Sequence, residues 1–311
     1  MQNLIVFECK NLAHAYHNFR LQGVNIALRE GEITGLIGQN GSGKTTFLRM
    51  VVGEIAHSSG ELHYPQFPDA WHLRKQRIAY IPQELPEWFG TLRENLHFSA
   101  TLHGFLGAEN EAAVAATVVR LGLTAHIDKR WNELSGGYKL RVALAQALVW
   151  QPKLLIIDEP LANLDINTQL FLLNDLRAMS HSATHPIAVL LSSQHLEEIE
   201  LYADNILMLN AGAVVYNGKT SEIAAQRTEN VYEMSADVDL QDLTDALLSL
   251  RATVTHNGKY FIMRVPSPND TKHLLSFLLN HDIVPLYFRN ISQSVKLLFN
   301  DYVTTDINKP A

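Results

Sequence analysis

Short apolar runs alternate with helical periodicity along most of this chain. Ile33-Thr34-Gly35-Leu36-Ile37-Gly38, Ile78-Ala79-Tyr80-Ile81, Leu154-Leu155-Ile156-Ile157 and Ile187-Ala188-Val189-Leu190-Leu191 are four to six residues long and end in polar or glycine-rich segments. That length and composition predict strands of a parallel α/β sheet. Residues 46–52, 139–148 and 167–179 have the composition and period of helices. Further strands are predicted over 205–209 and 213–217, and two short ones over 3–9 and 24–30 with a turn-rich region between them. Residues 53–72, rich in Gly, His, Ser and Pro, read as loops with short strands.

From 84 to 132 the pattern is helical, so the sheet is interrupted by an insertion. Thr91 followed by Glu94 predicts a capping box at the start of one helix, and Glu111–Leu121 forms a second, strongly periodic one. Residues 228–311 make a separate pattern: strand 230–236, helix 239–250, a hairpin over 253–263 with Asn257-Gly258 at its turn, helix 270–280, strand 283–289 and a last helix near 292–300. The order predicts two domains, residues 1–220 with a helical insertion at about 84–150, and a small α+β domain over 228–311.

The chemistry concentrates where strands end. Gly38-Gln39-Asn40-Gly41-Ser42-Gly43-Lys44-Thr45 fits the phosphate-loop pattern G-x-x-x-x-G-K-[ST] and lies between a strand and a helix. Glycines there let several N–H groups converge on one anion at a helix N-terminus. Lys44 then reaches the outer phosphates, and Thr45 offers a hydroxyl to Mg²⁺. Gln83 follows a strand and a proline, and Asp158-Glu159 follow the apolar run 154–157. Two adjacent acids permit a division of labour, one holding the metal and the other orienting water. Ser135-Gly136-Gly137 at a helix start is a second anion-binding arrangement. Leu164-Asp165 lies in a loop, and His195 follows another strand. Tyr16, upstream of the phosphate loop, either stacks on a nucleotide base or packs under a hairpin.

Composition narrows the setting. With 18% charged and 47% hydrophobic residues the chain can bury large cores, and a net charge of -7 leaves no basic field for nucleic acid. Its apolar runs fall far short of the roughly 20 residues of a bilayer-spanning helix, and the start has no secretory pattern. Cys9 is the only cysteine, consistent with a reducing compartment. The 14 histidines are scattered, with His14/His17 as a close pair, and nearly all of them read as surface or packing residues.

Taken in order, GQNGSGKT, Gln83, LSGGY, LLIIDEP, LD and a histidine after a strand resemble the nucleotide-binding subunit of ABC (ATP-binding cassette) transporters over about residues 3–220. The resemblance implies a P-loop ATPase cassette with a mixed sheet core, an antiparallel β subdomain and a helical subdomain, using ATP and Mg²⁺. It implies nucleotide contacts at Tyr16, Gly38, Asn40, Gly41, Ser42, Gly43, Lys44, Thr45, Thr46, Ser135, Gly136, Gly137 and Asp165. Metal contacts fall to Thr45, Gln83 and Asp158, and catalytic ones to Glu159 as base, His195 and Gln83. The signature segment Leu134–Tyr138 of one chain is expected to cap ATP held by another, so a second ATPase subunit is implied, as a homodimer or heterodimer, together with an integral-membrane permease. That places the chain in the cytoplasm, peripheral on the membrane.

Two departures stand out. Tyr138 occupies a place where many relatives have glutamine, and the interval after Tyr16 is about one residue short. The C-terminal domain resembles the extension of exporter-type ATPases, an accessory dimerisation domain being the alternative. Residues 84–105 are the expected docking surface, with Trp88, Phe89 and Phe98 as exposed anchors or as core. A soluble ABC ATPase without a membrane partner is the competing function.

Overall fold

In the computed structural model, residues 4–16, 18–162, 164–194, 196–223 and 228–300 are described. They divide into two units, Met1–Asn217 and Gly218–Ala311.

The first unit begins with a long antiparallel hairpin, β1 (Ile5–Tyr16) and β2 (Phe19–Arg29). This corrects the expectation of two short strands separated by turns. Asn11 takes a left-handed conformation, φ 47, and the pairing register slips between Cys9 and Leu12 and again before His14. A bulge of this kind re-phases the side chains, so Phe7, Cys9 and Leu12 are all buried although their spacing is not strictly two. The apolar period is broken while the strand continues.

β3 (Ile33–Gly38) leads into α1 (Lys44–Val51), followed by β4 (Ser59–His63), the short α2 (Trp71–Lys75) and β5 (Ile78–Ile81). The insertion supplies α3 (Leu92–Leu102) and α4 (Gly107–Arg120), after which α5 (Gly136–Leu148), β6 (Leu154–Ile157), α6 (Ile166–Ser180), β7 (Ala188–Ser193), α7 (Leu196–Tyr202), β8 (Asn205–Asn210) and β9 (Ala213–Lys219) complete the order. The nine strands form one sheet, β4-β1-β2-β9-β8-β3-β7-β6-β5. Strands β8, β3, β7, β6 and β5 are parallel, whereas β4, β1 and β2 pair antiparallel. Every residue of β3, β6 and β7 is buried, as expected for parallel strands covered on both faces. Their C-terminal ends lie side by side, so the polar residues just beyond each one meet.

The predicted capping box forms: Thr91 Oγ1 accepts from the Glu94 N–H, and Glu94 accepts from the Thr91 N–H at 2.7 Å. Buried Asn110 of α4 ties the insertion together. Its amide donates to His97 O, Thr101 Oγ1 and Phe105 O, satisfying a polar side chain that would otherwise oppose burial.

The second unit contains β10 (Glu229–Ser235), α8 (Leu240–Leu247), β11 (Thr253–His256), β12 (Phe261–Pro266), α9 (Thr271–Asn280) and β13 (Tyr287–Asn290). Its sheet order is β11-β12-β10-β13, all pairs antiparallel. Tyr232, Met234, Met263 and Val265 from the sheet pack with Leu243 and Leu247 of α8 and Leu274 and Leu278 of α9. Strand, helix, strand, strand, helix, strand in this order is a split βαβ sandwich. Two boundaries differ from expectation. The helix expected over 239–250 ends in a 3₁₀ turn at Leu248–Leu250, and the strand expected over 283–289 starts only at Tyr287, because Pro285 stands in the apolar run before it.

Candidate nucleotide site

The loop after β3 is shaped by contacts from both sides. Gly43, the N-cap of α1, has φ 105, a conformation open to glycine, and a Cβ there would come within 2.8 Å of Phe19. The turn between β8 and β9 braces the loop from the other strand, where the Gly212 N–H donates to Ser42 O at 3.2 Å. Gly212 itself has φ 82, and a Cβ would lie 2.0 Å from Arg20 O. Two glycines far apart in sequence thus hold one loop.

Lys44 is almost fully buried and points back over that loop, donating to Gly38 O at 2.8 Å and Gln39 O at 3.2 Å. Its Nζ also pairs with Glu159 Oε1 at 3.0 Å, with both side chains no more than 6% exposed. Thr45 Oγ1 donates to Asp158 Oδ2 at 2.7 Å. Asp158 Oδ1 in turn accepts from Ser192 Oγ at 2.5 Å, and the same hydroxyl accepts from the Glu159 N–H at 2.8 Å. Glu159 has φ 50, a left-handed conformation that costs a non-glycine residue about 1–3 kcal/mol. The Ser192 contact and the Gln194 N–H, which donates to Glu159 Oε2 at 3.2 Å, hold it there.

These groups border a cavity of about 560 Å³ whose lining includes Tyr16, Asn40, Gly41, Gly43, Lys44, Thr45, Thr46, Gln83 and Glu159, along with Asn18 and Phe19. Tyr16 is half exposed, and its ring stands edge-on to His14 with centroids 4.6 Å apart. Asp158 and the Ser42 hydroxyl lie buried behind the wall, and that hydroxyl has no hydrogen-bond partner. Ser135, Gly136 and Gly137 do not line this cavity. Gly136 instead borders a smaller one of about 110 Å³ with Gln83, Asp158 and Glu159. Asp165 is engaged as the N-cap of α6, accepting from the Thr168 N–H at 3.1 Å and the Thr168 hydroxyl at 2.6 Å, which holds its carboxyl below the usual range. His195 lies outside the described residues.

Three residues escaped sequence reasoning. Ser192 orients both acids, and its only signal was the Ser192-Ser193 pair at the end of an apolar strand. Asn18 and Phe19 entered the cavity because the first hairpin is longer than its pattern suggested.

The arrangement fits a nucleotide triphosphate: backbone N–H groups at a helix start, one lysine, a hydroxyl beside a carboxylate, and a second carboxylate within reach. A family model described as "ABC transporter" matches residues 21–162. Phosphonates import ATP-binding protein PhnC 1 of Rhodopseudomonas palustris (strain BisB18) is 33% identical over 68% of this chain and 83% of its own length. Linearmycin resistance ATP-binding protein LnrL of Bacillus subtilis (strain 168) is 28% identical over 71% of each chain. Among solved structures, cbiO1 from Clostridium perfringens, part of the ABC transporter complex cbiONQ, superposes with a TM-score of 0.65 at 27% identity over 71% of this chain and 91% of that one. The chain belongs to the ABC transporter ATP-binding family, whose members hydrolyse ATP. Its first unit has the ATPase cassette fold expected from the motifs.

Proposed function

We propose that this chain powers a separate membrane permease, working as an exporter, with Glu159 as the base of ATP hydrolysis. The convergence of Lys44, Thr45, Gln83 and Glu159 on one cavity carries the reading. An entering triphosphate offers Lys44 anionic oxygens in place of Glu159 Oε1. The released carboxylate then accepts a proton from the attacking water. Tyr16 at the cavity mouth stacks on the base.

Mg²⁺ fits the wall. Thr45 Oγ1 and Asp158 Oδ2, with the Gln83 amide on the cavity lining, would supply oxygen donors of the kind a small hard cation takes, alongside phosphate and water. When bound, the ion neutralises charge on the phosphate oxygens. Among the described residues no group of three or more His, Cys, Asp or Glu is placed to hold a metal.

Ser135, Gly136 and Gly137 lie outside the Lys44 cavity, so their use as a phosphate contact requires a second ATPase subunit. Residues 84–105 dock the permease: Phe89 is 98% and Phe98 64% exposed, whereas Trp88 packs on Trp131 with centroids 4.6 Å apart. Exposed aromatic side chains of this kind are common anchors of protein interfaces. Among the described residues no helix is long and apolar enough to cross a membrane. Attachment through the proposed permease would place the chain on the cytoplasmic face. The resistance function in the name of LnrL supports export, while that of PhnC 1 is import.

The test is to tag the chain in its native cell, solubilise the membranes gently and identify what co-purifies. A stoichiometric multi-spanning protein is expected, and its identity decides direction. Recovery without any integral-membrane protein would favour a soluble ATPase instead.

A further inference from the structure

We propose that Tyr138 is a positioning residue, holding the first turn of α5 by ring stacking so that Ser135, Gly136 and Gly137 face a nucleotide in one fixed orientation. The inference rests on the reading that this turn completes the site of a second subunit.

The turn is not oriented by its own N-cap. Ser135 is the capping residue, yet its side chain makes no capping hydrogen bond, so the usual local device for fixing a helix entry is missing. Orientation comes from flat groups stacked alongside. The Tyr138 ring lies against His126 with centroids 4.0 Å apart and planes 25° from parallel. On α5 itself, the Arg141 guanidinium carbon is 5.5 Å from the Tyr138 centroid and 3.8 Å from that of Phe171 on α6. His126, Tyr138, Arg141 and Phe171 thus connect the turn at Thr124–His126, the start of α5 and the flank of α6.

Two further observations agree. His126 Nδ1 is buried and has no hydrogen-bond partner, so this ring is placed by its faces. Burial, with Lys129 and Arg141 nearby, also holds its imidazole below the ordinary value. Gly137 also rests on Thr168 of α6, where a Cβ would come within 3.2 Å of Thr168 Cγ2, and Thr168 is fixed in turn by Asp165. The signature turn is therefore held both by Thr168 of α6 and by the Tyr138 stack. A glutamine at 138 has no ring and cannot take part in the stack, so in this chain residue 138 serves orientation.

The experiment measures steady-state ATP hydrolysis by the full chain and its Y138F, Y138Q, Y138A, H126F, H126A and S135A variants. Equilibrium binding of the fluorescent analogue TNP-ATP is measured alongside. Aromatic pairs of this strength correspond to about a fivefold to tenfold effect on kcat. Y138Q, Y138A and H126A are expected to lose that factor. Y138F and H126F, which keep the stacked faces, stay within about twofold of the parent. TNP-ATP affinity is expected to stay constant throughout, because the Lys44 cavity is untouched. Parental kcat in Y138Q and Y138A, or loss of kcat only in step with TNP-ATP affinity or thermal midpoint, overturns the inference. S135A separates it from its premise: undiminished kcat in S135A removes the role of the whole turn, whereas impaired S135A with normal Y138Q removes only that of Tyr138.

Discussion

Thr45 Oγ1 and Asp158 Oδ2 are hydrogen-bonded at 2.7 Å although 113 residues separate them in sequence. The first turn of α1 and the end of β6 therefore present their oxygens as one edge. Replacing Asp158 by Asn keeps the shape and removes the charge. Hydrolysis is expected to fall by about 100-fold or more while nucleotide binding measured in EDTA persists. Adding EDTA to the parent chain should abolish turnover in the same way.

Ser192 gives a more discriminating prediction. Its hydroxyl donates to Asp158 and accepts from the Glu159 N–H, so one atom sets the placement of both acids. Groups that orient a reactive residue from behind are worth about 10- to 100-fold. Ser192→Ala is expected to lower kcat by about tenfold with little change in ATP affinity, read from kcat and KM measured together.

The buried pair of Lys44 and Glu159 predicts non-additive stability. Removing one partner leaves a charge buried without compensation, a loss of about 3–5 kcal/mol, whereas removing both does not. Lys44→Met should therefore unfold at lower denaturant than Lys44→Met/Glu159→Gln. Equal midpoints would show that the pair contributes no coupling. Glu159→Gln alone is expected to trap an ATP-bound dimer, detectable by sedimentation.

Asn110 offers a test confined to the helical insertion. Asn110→Leu leaves the Phe105 carbonyl without its amide donor and removes the contact of Asn110 Oδ1 with His97 Nδ1, and is expected to cost about 2 kcal/mol. Amide exchange should accelerate across 92–120 while β3 and β6 keep their protection.

Cys9 is expected to be inert in the folded chain. Its thiol is buried, donates to Val24 O, and is pushed up to about 12 by burial. Since the thiolate is the reactive species, labelling by a disulfide reagent at pH 8 should be at least ~100-fold slower than in denaturant, where one thiol reacts.

Much of the cassette was legible because its chemistry is local. The loop from Gly38 to Thr45 and the acids after β6 sit on strand ends that apolar runs announce without help from the rest of the chain. The contacts that tune them are not local. Ser192 meets Asp158 only because β6 and β7 pair with Ile157 opposite Leu191, and no spacing in the sequence carries that register. The first hairpin was underestimated for a related reason: the left-handed Asn11 interrupts the period without ending the strand. Asp165 has a role the motif order does not announce: its carboxylate caps α6 by accepting from Thr168.

The brace from Gly212 to the Ser42 carbonyl gives the phosphate loop a tertiary dependence. Its curvature is not a portable property of the eight residues that define the motif. A peptide spanning β3 to α1 would keep every motif residue and lose the support beneath them. Lengthening the turn between β8 and β9 by one residue in the intact chain should likewise weaken ATP binding, with no motif residue altered.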